Sequence, residues 1–164
     1  MLGGAYRHWL IEEGSLTKRL QMRYRDFAVR PTRLAYTKAI LDEAQLLQMP
    51  SRKAALIREV ELLGGGKPVV FAHSVLPRAS LRGAWLGLGR IGNKPLGGAL
   101  FADPKVERTP LSYKKLYRQH VLYQHAVRDL AEKPACLWAR RSVFRLNCAA
   151  ILVTEIFLPE VLVG

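Results

Sequence analysis

Two apolar, β-rich runs, Ala54 to Leu63 and Pro68 to Leu76, flank Gly64-Gly65-Gly66, and this pattern constrains the fold more than any other stretch of the chain. Glycine supplies the positive φ that a tight turn between antiparallel strands requires, so the segment predicts a hairpin. A second hairpin is expected where Ser142 to Leu146 faces Ala150 to Leu158, turning near Asn147-Cys148. Phe27 to Val29 and Leu34 to Ile40 read as strands interrupted at Pro31, which cannot donate to a ladder. Leu111 to Leu116 is also strand-like. Helices are expected over Tyr6 to Glu13, over Leu16 to Arg23 behind a Ser15 cap, and over Leu81 to Gly89 behind Ser80. Pro95 to Phe101 and Val121 to Glu132 complete the set, the latter with Leu122, Ala126, Asp129 and Leu130 in helical register. Strands that outnumber helices and arrive as hairpins imply an α+β class, a mainly antiparallel sheet with helices packed on it. The 164 residues suit a single domain over 1–164.

Two charges interrupt this apolar framework. Glu155 stands inside Ile151-Leu152-Val153-Thr154-Glu155-Ile156-Phe157-Leu158-Pro159. An ionised carboxylate removed from water needs a partner, a hydrogen-bond network or a proton. Arg58 stands in the first hairpin, and alternation places it on the face of Leu56, Val60 and Leu62. The pair can form a structural ion bridge, or it can line a pocket that grips an anion at one end and handles a hydroxyl at the other. Spacing alone favours the ion bridge.

Lys and Arg number 26 against 13 Asp and Glu, a formal net charge of +13. The basic residues are scattered, without a helix-turn-helix, zinc-finger or aromatic-basic signature, so no specific nucleic-acid partner is expected. Cys136 and Cys148 lack metal or redox spacing and read as reduced, mostly buried thiols. His8, His73, His120 and His125 read as single surface or core residues, and no metal is expected. No apolar run approaches the length of a membrane span and no secretory leader is visible, which predicts a cytoplasmic protein without membrane insertion.

The block Trp9-Leu10-Ile11-Glu12-Glu13-Gly14-Ser15-Leu16-Thr17-Lys18-Arg19-Leu20 resembles the opening of the chorismate lyase family. Three further blocks follow in the family's order: Ile57-Arg58-Glu59-Val60 with Pro77 closing the next strand, Leu88 to Phe101 with its Lys94-Pro95-Leu96-Gly97-Gly98, and Leu137-Trp138-Ala139-Arg140-Arg141-Ser142 running through Glu155 to Pro159. Four ordered blocks spanning almost the whole chain are a specific match. The resemblance implies an antiparallel sheet whose ligand site lies under helical flaps. It also implies a cofactor-independent enzyme, expected as a monomer, that converts chorismate into 4-hydroxybenzoate and pyruvate, the first committed step towards ubiquinone.

By the same resemblance Arg58 and Glu155 are the catalytic pair. Arg58 binds the ring carboxylate, helped by the backbone N–H groups of Leu16 and Leu96, and Glu155 contacts the ring hydroxyl. Arg140 and Arg141 are balanced between the second carboxylate and surface pairing, whereas Thr17, Lys18 and Arg19 read as helix-face residues. The segment from Val106 to Pro134, with its helix around Leu122 to Glu132, is expected to decorate the edge of the site. One alternative is a ligand-sensing domain of the same fold. Such a sensor would carry a DNA-binding module, for which the residues ahead of Leu16 are too few. The other alternative is a lyase that yields a different hydroxybenzoate isomer.

Overall fold

Gly65 and Gly66, at φ of 62° and 77°, form the two-residue turn that joins β2 (Ala54–Gly64) to β3 (Lys67–Pro77). The same device recurs at Asn147 and Cys148, at φ of 49° and 69°, between β6 (Cys136–Leu146) and β7 (Ala149–Phe157). Both hairpins stand where the sequence places them, although β6 begins six residues earlier than expected. The computed structural model describes residues 2–164. With β1 (Ala28–Lys38), β4 (Glu107–Arg108) and β5 (Ser112–Tyr117), the strands make one seven-stranded sheet in the order β1-β2-β3-β7-β6-β4, with β5 also paired to β6. Every pairing is antiparallel.

Pro31 does not divide β1. The strand runs through it, with a register shift against β2 between Pro31 and Arg33. An edge strand tolerates proline because one side of its backbone has no neighbour to bond.

The helix expected over Leu16 to Arg23 is found with those bounds, whereas the other expected helices are shorter than the sequence suggests. The helices are α1 (Arg7–Leu10, preceded by a 3-10 turn over Gly4–Tyr6), α2 (Leu16–Arg23), α3 (Leu41–Leu46), α4 (Arg78–Arg82), α5 (Leu96–Leu100) and α6 (Val121–Ala126). None is long and apolar enough to cross a membrane. Ser15 caps α2 as expected, its Oγ accepting from Lys18 N at 3.2 Å. Ser80, expected as a cap, lies inside α4, where its hydroxyl donates to the Ala150 carbonyl at 2.9 Å. A buried hydroxyl takes the acceptor that tertiary packing offers, and α4 starts right after Pro77 and not behind Ser80. Pro95 is the N-cap of α5. The helix expected over Val121 to Glu132 stops at Ala126.

Alternation divides the sheet into two covered faces. On the first face α1 and α2 pack Trp9, Leu10, Leu16 and Leu20 against Val60, Leu62, Val70 and Phe157. Further along it, Trp85, Leu88, Leu96 and Leu100 cover Leu56, Leu76, Phe144 and Ile151. The second face carries α6, whose Leu122, Tyr123 and Ala126 meet Phe71, Leu137, Ala139 and Ile156. Beside that group Leu47, just beyond α3, joins Ala55, Ile57, Val75, Val143 and Leu152.

Strand β2 is therefore buried on both sides, and its acids need partners. Glu59 Oε2 accepts from His73 Nδ1 at 2.8 Å and from His125 Nδ1 at 2.9 Å, and His73 Nε2 lies 3.0 Å from Glu43 Oε2. Burial opposes charge on His73, but hydrogen bonds to Glu43 and Glu59 outweigh it and raise its pKa to about 9. The expectation of single histidines is corrected for these two, which share one buried carboxylate. The expectation of mostly buried thiols is corrected as well. Cys136 is partly exposed, and Cys148 is exposed because it occupies the turn.

Candidate functional site

Strand register fixes the positions of the charges. On the first face Arg58, Ser74, Val153 and Ser142 form one cross-strand row over β2, β3, β7 and β6. Val60, Ala72, Glu155 and Arg140 form the next row on that face. Arg58 and Glu155 are thus two strands and two residues apart, about 12 Å between Cα atoms. The residues between them include Ala72 and Ser74, too small to fill the space. A cavity opens over this floor, lined by Leu16, Thr17, Arg58, Leu96, Arg108, Arg140 and Glu155 among others. All four residues singled out in the sequence, Leu16, Arg58, Leu96 and Glu155, therefore meet in one place.

The first turns of α2 and α5 line the cavity from the helical side. A Cβ built on Gly97 would stand 2.8 Å from Thr17 Oγ1, so the two helix starts approach so closely that a larger residue here would have to displace the Thr17 side chain. Leu16 and Leu96 are the first residues of their helices, and their N–H groups have no intrahelical acceptor. Thr17, read from sequence as a helix-face residue, also lines the cavity.

Arg58 is 5% exposed, and burial lowers the pKa of its guanidinium. Its Nη2 donates to the carbonyls of Gly92 at 3.1 Å and Lys94 at 2.9 Å. Among the described residues no carboxylate lies within salt-bridge distance of it. The bridge between Arg58 and Glu155 that spacing alone favours is thus not formed.

Glu155 pairs instead with its direct neighbour on β6, accepting from Arg140 Nε at 2.8 Å. The Arg140 side chain is fully buried, and its Nη1 donates to the carbonyls of Trp9 and Leu10, both at 3.1 Å, and of Glu12. These carbonyls lie at the C-terminal end of α1, where a cation is favoured. Of the two roles held open for Arg140 and Arg141, the second carboxylate or surface pairing, alternation leaves Arg141 only the second. Arg141 points to the opposite face and pairs with Asp42 at 2.8 Å.

Arg108 was not singled out in the sequence, yet it lines the cavity. It pairs with Phe144 at the sheet edge, donates from Nε to Ser142 Oγ at 2.7 Å, and donates from Nη1 to the Glu13 carbonyl at 2.7 Å. Its guanidinium carbon lies 4.9 Å from the centre of the Phe144 ring and 5.5 Å from that of Phe101. A two-residue strand has no periodicity, so nothing in the sequence announces that Arg108 turns inward. The helix of the same segment, α6, packs on the opposite sheet face and does not border the cavity.

An antiparallel sheet with a charged cavity beneath short helices is a ligand-binding architecture. Solved structures share the fold. The effector domain of PhnF from Mycobacterium smegmatis aligns with a TM-score of 0.63 and 13% identity over 90% of this chain and 90% of that one. The C-terminal domain of Yurk from Bacillus subtilis gives 0.59 and 12% over 80% and 90%. Sequence comparison is more specific. The chorismate lyase family model matches residues 2–163, and the chain belongs to that family. A relative in Methylobacillus flagellatus, named "Probable chorismate pyruvate-lyase", is 55% identical over 157 residues, covering 96% of this chain and 88% of its own length. A Nitrosomonas europaea relative of the same name is 47% identical over 93% of this chain and 86% of its own length.

Proposed function

We propose that this protein is a lyase that converts chorismate into 4-hydroxybenzoate and pyruvate, supplying the ring for ubiquinone. One observation carries the reading: a buried Arg58 without a carboxylate partner among the described residues faces Glu155 across a floor of small side chains. A buried cation is stabilised by an anion, and chorismate brings a ring carboxylate together with a hydroxyl at the far side of the same ring.

Arg58 takes the ring carboxylate through its planar fork, with the N–H groups of Leu16 and Leu96 as further donors. Glu155, held by Arg140, meets the ring hydroxyl. The first turns of α2 and α5 act as flaps that shield the reacting ring from water. In the reaction the ring C–O bond to the enolpyruvyl group breaks, and the hydrogen on the neighbouring hydroxyl-bearing carbon passes to the enolpyruvyl methylene. The electrons freed at the ring close the aromatic system. Atoms and electrons balance between the substrate and its two products, so the residues' task is to hold the dianion in the reactive geometry and stabilise the departing oxygen. We place the reaction in the cytoplasm, carried out by a monomer.

The test is to incubate the purified protein with chorismate, follow pyruvate by an enzyme-coupled assay and identify the aromatic product by chromatography. Equal amounts of pyruvate and 4-hydroxybenzoate are expected. Chorismate that binds but is not consumed would make the protein a sensor, and a different hydroxybenzoate would overturn the proposed placement of the ring.

A further inference from the structure

The reaction proposed above leaves one charge of the substrate without a partner. Chorismate carries a second carboxylate on the enolpyruvyl group, attached to the ring carbon next to the one that bears the hydroxyl. If Arg58 holds the ring carboxylate and Glu155 the hydroxyl, that second carboxylate lies at the Glu155 end of the cavity, displaced to one side.

Three arginines compete for it. Arg141 faces the other side of the sheet and pairs with Asp42. Arg140 already has Glu155 as its counter-charge through Nε and gives Nη1 to three backbone carbonyls; its Nη2 is buried and has no hydrogen-bond partner among the described residues. Arg108 remains. Its backbone pairs with Phe144, one row on from the row that begins at Arg58, and its side chain reaches back to Ser142, with Nε and Nη1 held by Ser142 and the Glu13 carbonyl. Among the described residues its Nη2 makes no hydrogen bond and no carboxylate lies within salt-bridge distance of it. The Phe101 and Phe144 rings flank the partly buried guanidinium. Arg108, Arg140 and Glu155 line the same cavity; burial lowers the Arg108 pKa and the Glu155 charge opposes that shift.

We infer that Arg108 is the substrate-binding residue for the enolpyruvyl carboxylate, and that it therefore distinguishes chorismate from 4-hydroxybenzoate. The inference rests on the lyase reading of this cavity. Its consequence is asymmetric. Chorismate has two carboxylates and uses both Arg58 and Arg108, whereas 4-hydroxybenzoate has only the ring carboxylate and uses Arg58 alone. The contact at Arg108 is thus given up when pyruvate departs, and the aromatic product stays behind on the Arg58 side.

Arg108→Gln tests this, with the KM for chorismate and the Kd for 4-hydroxybenzoate measured on the same preparation. Loss of a charge-assisted contact to a carboxylate should raise the KM at least tenfold. The product Kd should change by less than twofold. Arg108→Lys, which keeps the charge, should show the same selectivity at smaller size, and it serves if the Gln variant folds poorly. A purely structural role, through the bonds to Ser142 and Glu13, would weaken both ligands together, and that result would overturn the inference, as would an unchanged KM. A wild-type protein that releases no pyruvate from chorismate would overturn the lyase reading itself, and the role of Arg108 with it. An active wild type with non-selective Arg108 variants would sink the inference alone.

Discussion

Glu155→Gln tests whether the site carboxylate is also part of the scaffold. The Arg140 side chain is 0% exposed and that of Glu155 14%, with Nε and Oε1 at 2.8 Å. Removing one member of a buried pair typically destabilises by about 3 to 5 kcal/mol because the other charge is left uncompensated. Three features reduce that here. Glutamine keeps an oxygen in place of Oε1, Glu155 borders the cavity, and Arg140 Nη1 retains the carbonyls of Trp9, Leu10 and Glu12. About 2 kcal/mol is the resulting figure. For a chain of this length that lowers the melting temperature by about 4 to 8 °C. Turnover should fall by roughly a hundredfold if Glu155 stabilises developing charge or moves a proton. Thermal melts followed by circular dichroism at neutral pH, beside the pyruvate assay, read both effects. A melting temperature within about a degree of the parent would show that the Arg140 guanidinium does not depend on Glu155, and the argument from the buried pair would fail.

Arg58→Lys should impair binding nearly as much as Arg58→Ala, because a point charge cannot replace a bidentate fork; calorimetry should show 4-hydroxybenzoate affinity down well over tenfold in both, the loss of a buried partner being worth roughly 2 to 5 kcal/mol. Near-native affinity in the Lys variant would refute this. Gly97→Ala pushes a methyl to within 2.8 Å of Thr17 Oγ1, so kcat/KM should fall by about tenfold or more with little change in melting temperature, and adding Thr17→Ala should recover much of the loss; failure to recover would exclude that clash as the cause. His73 contributes pH-dependent stability. Its folded pKa of about 9 exceeds the unfolded value of 6.5, so the contribution is complete below the unfolded value and fades as pH rises through about 9. Urea midpoints from pH 6 to 10 should decline across that window, and the decline should be absent in His73→Gln.

The two hairpins were readable because their turns are local. Gly65 and Gly66, and Asn147 with Cys148, set the backbone through their own φ values, independently of distant contacts. A two-residue turn also fixes register. Counting equal steps outward from Asn147 and Cys148 places Arg140 opposite Glu155, so the partner of the site carboxylate was implicit once the turn was placed. The residue pattern alone marks β6 only from Ser142, two residues short of Arg140, because Leu137-Trp138-Ala139-Arg140-Arg141 lacks a clear alternation. Helix ends were less readable. Ser80 has the chemistry of a cap, but its hydroxyl meets a carbonyl on β7 seventy positions away, a contact that no local pattern contains. The six-residue α3 is too short to show a helical period.

The charges of β2 show why alternation finds a site but not its partners. Arg58 and Glu59 are neighbours in sequence, and the pleat sends them to opposite faces of a strand buried on both. Glu59 meets His73 and His125, the latter 66 positions away, and the bonds they donate outweigh its burial and lower its pKa. Arg58 meets two carbonyls and no carboxylate among the described residues. The pattern of the sequence treats the two residues alike, as ionisable side chains in a core strand. What separates them is compensation. A buried charge that the fold neutralises belongs to the scaffold, and one that it leaves with carbonyl dipoles alone is stabilised further by an anion from outside. By that criterion Arg58 stands apart from Arg140, which the fold supplies with Glu155. Arg58 on β2 and Arg108 on β4 line one cavity from different strands, and neither has a carboxylate within salt-bridge distance among the described residues, which leaves the anionic partners to be brought by a ligand.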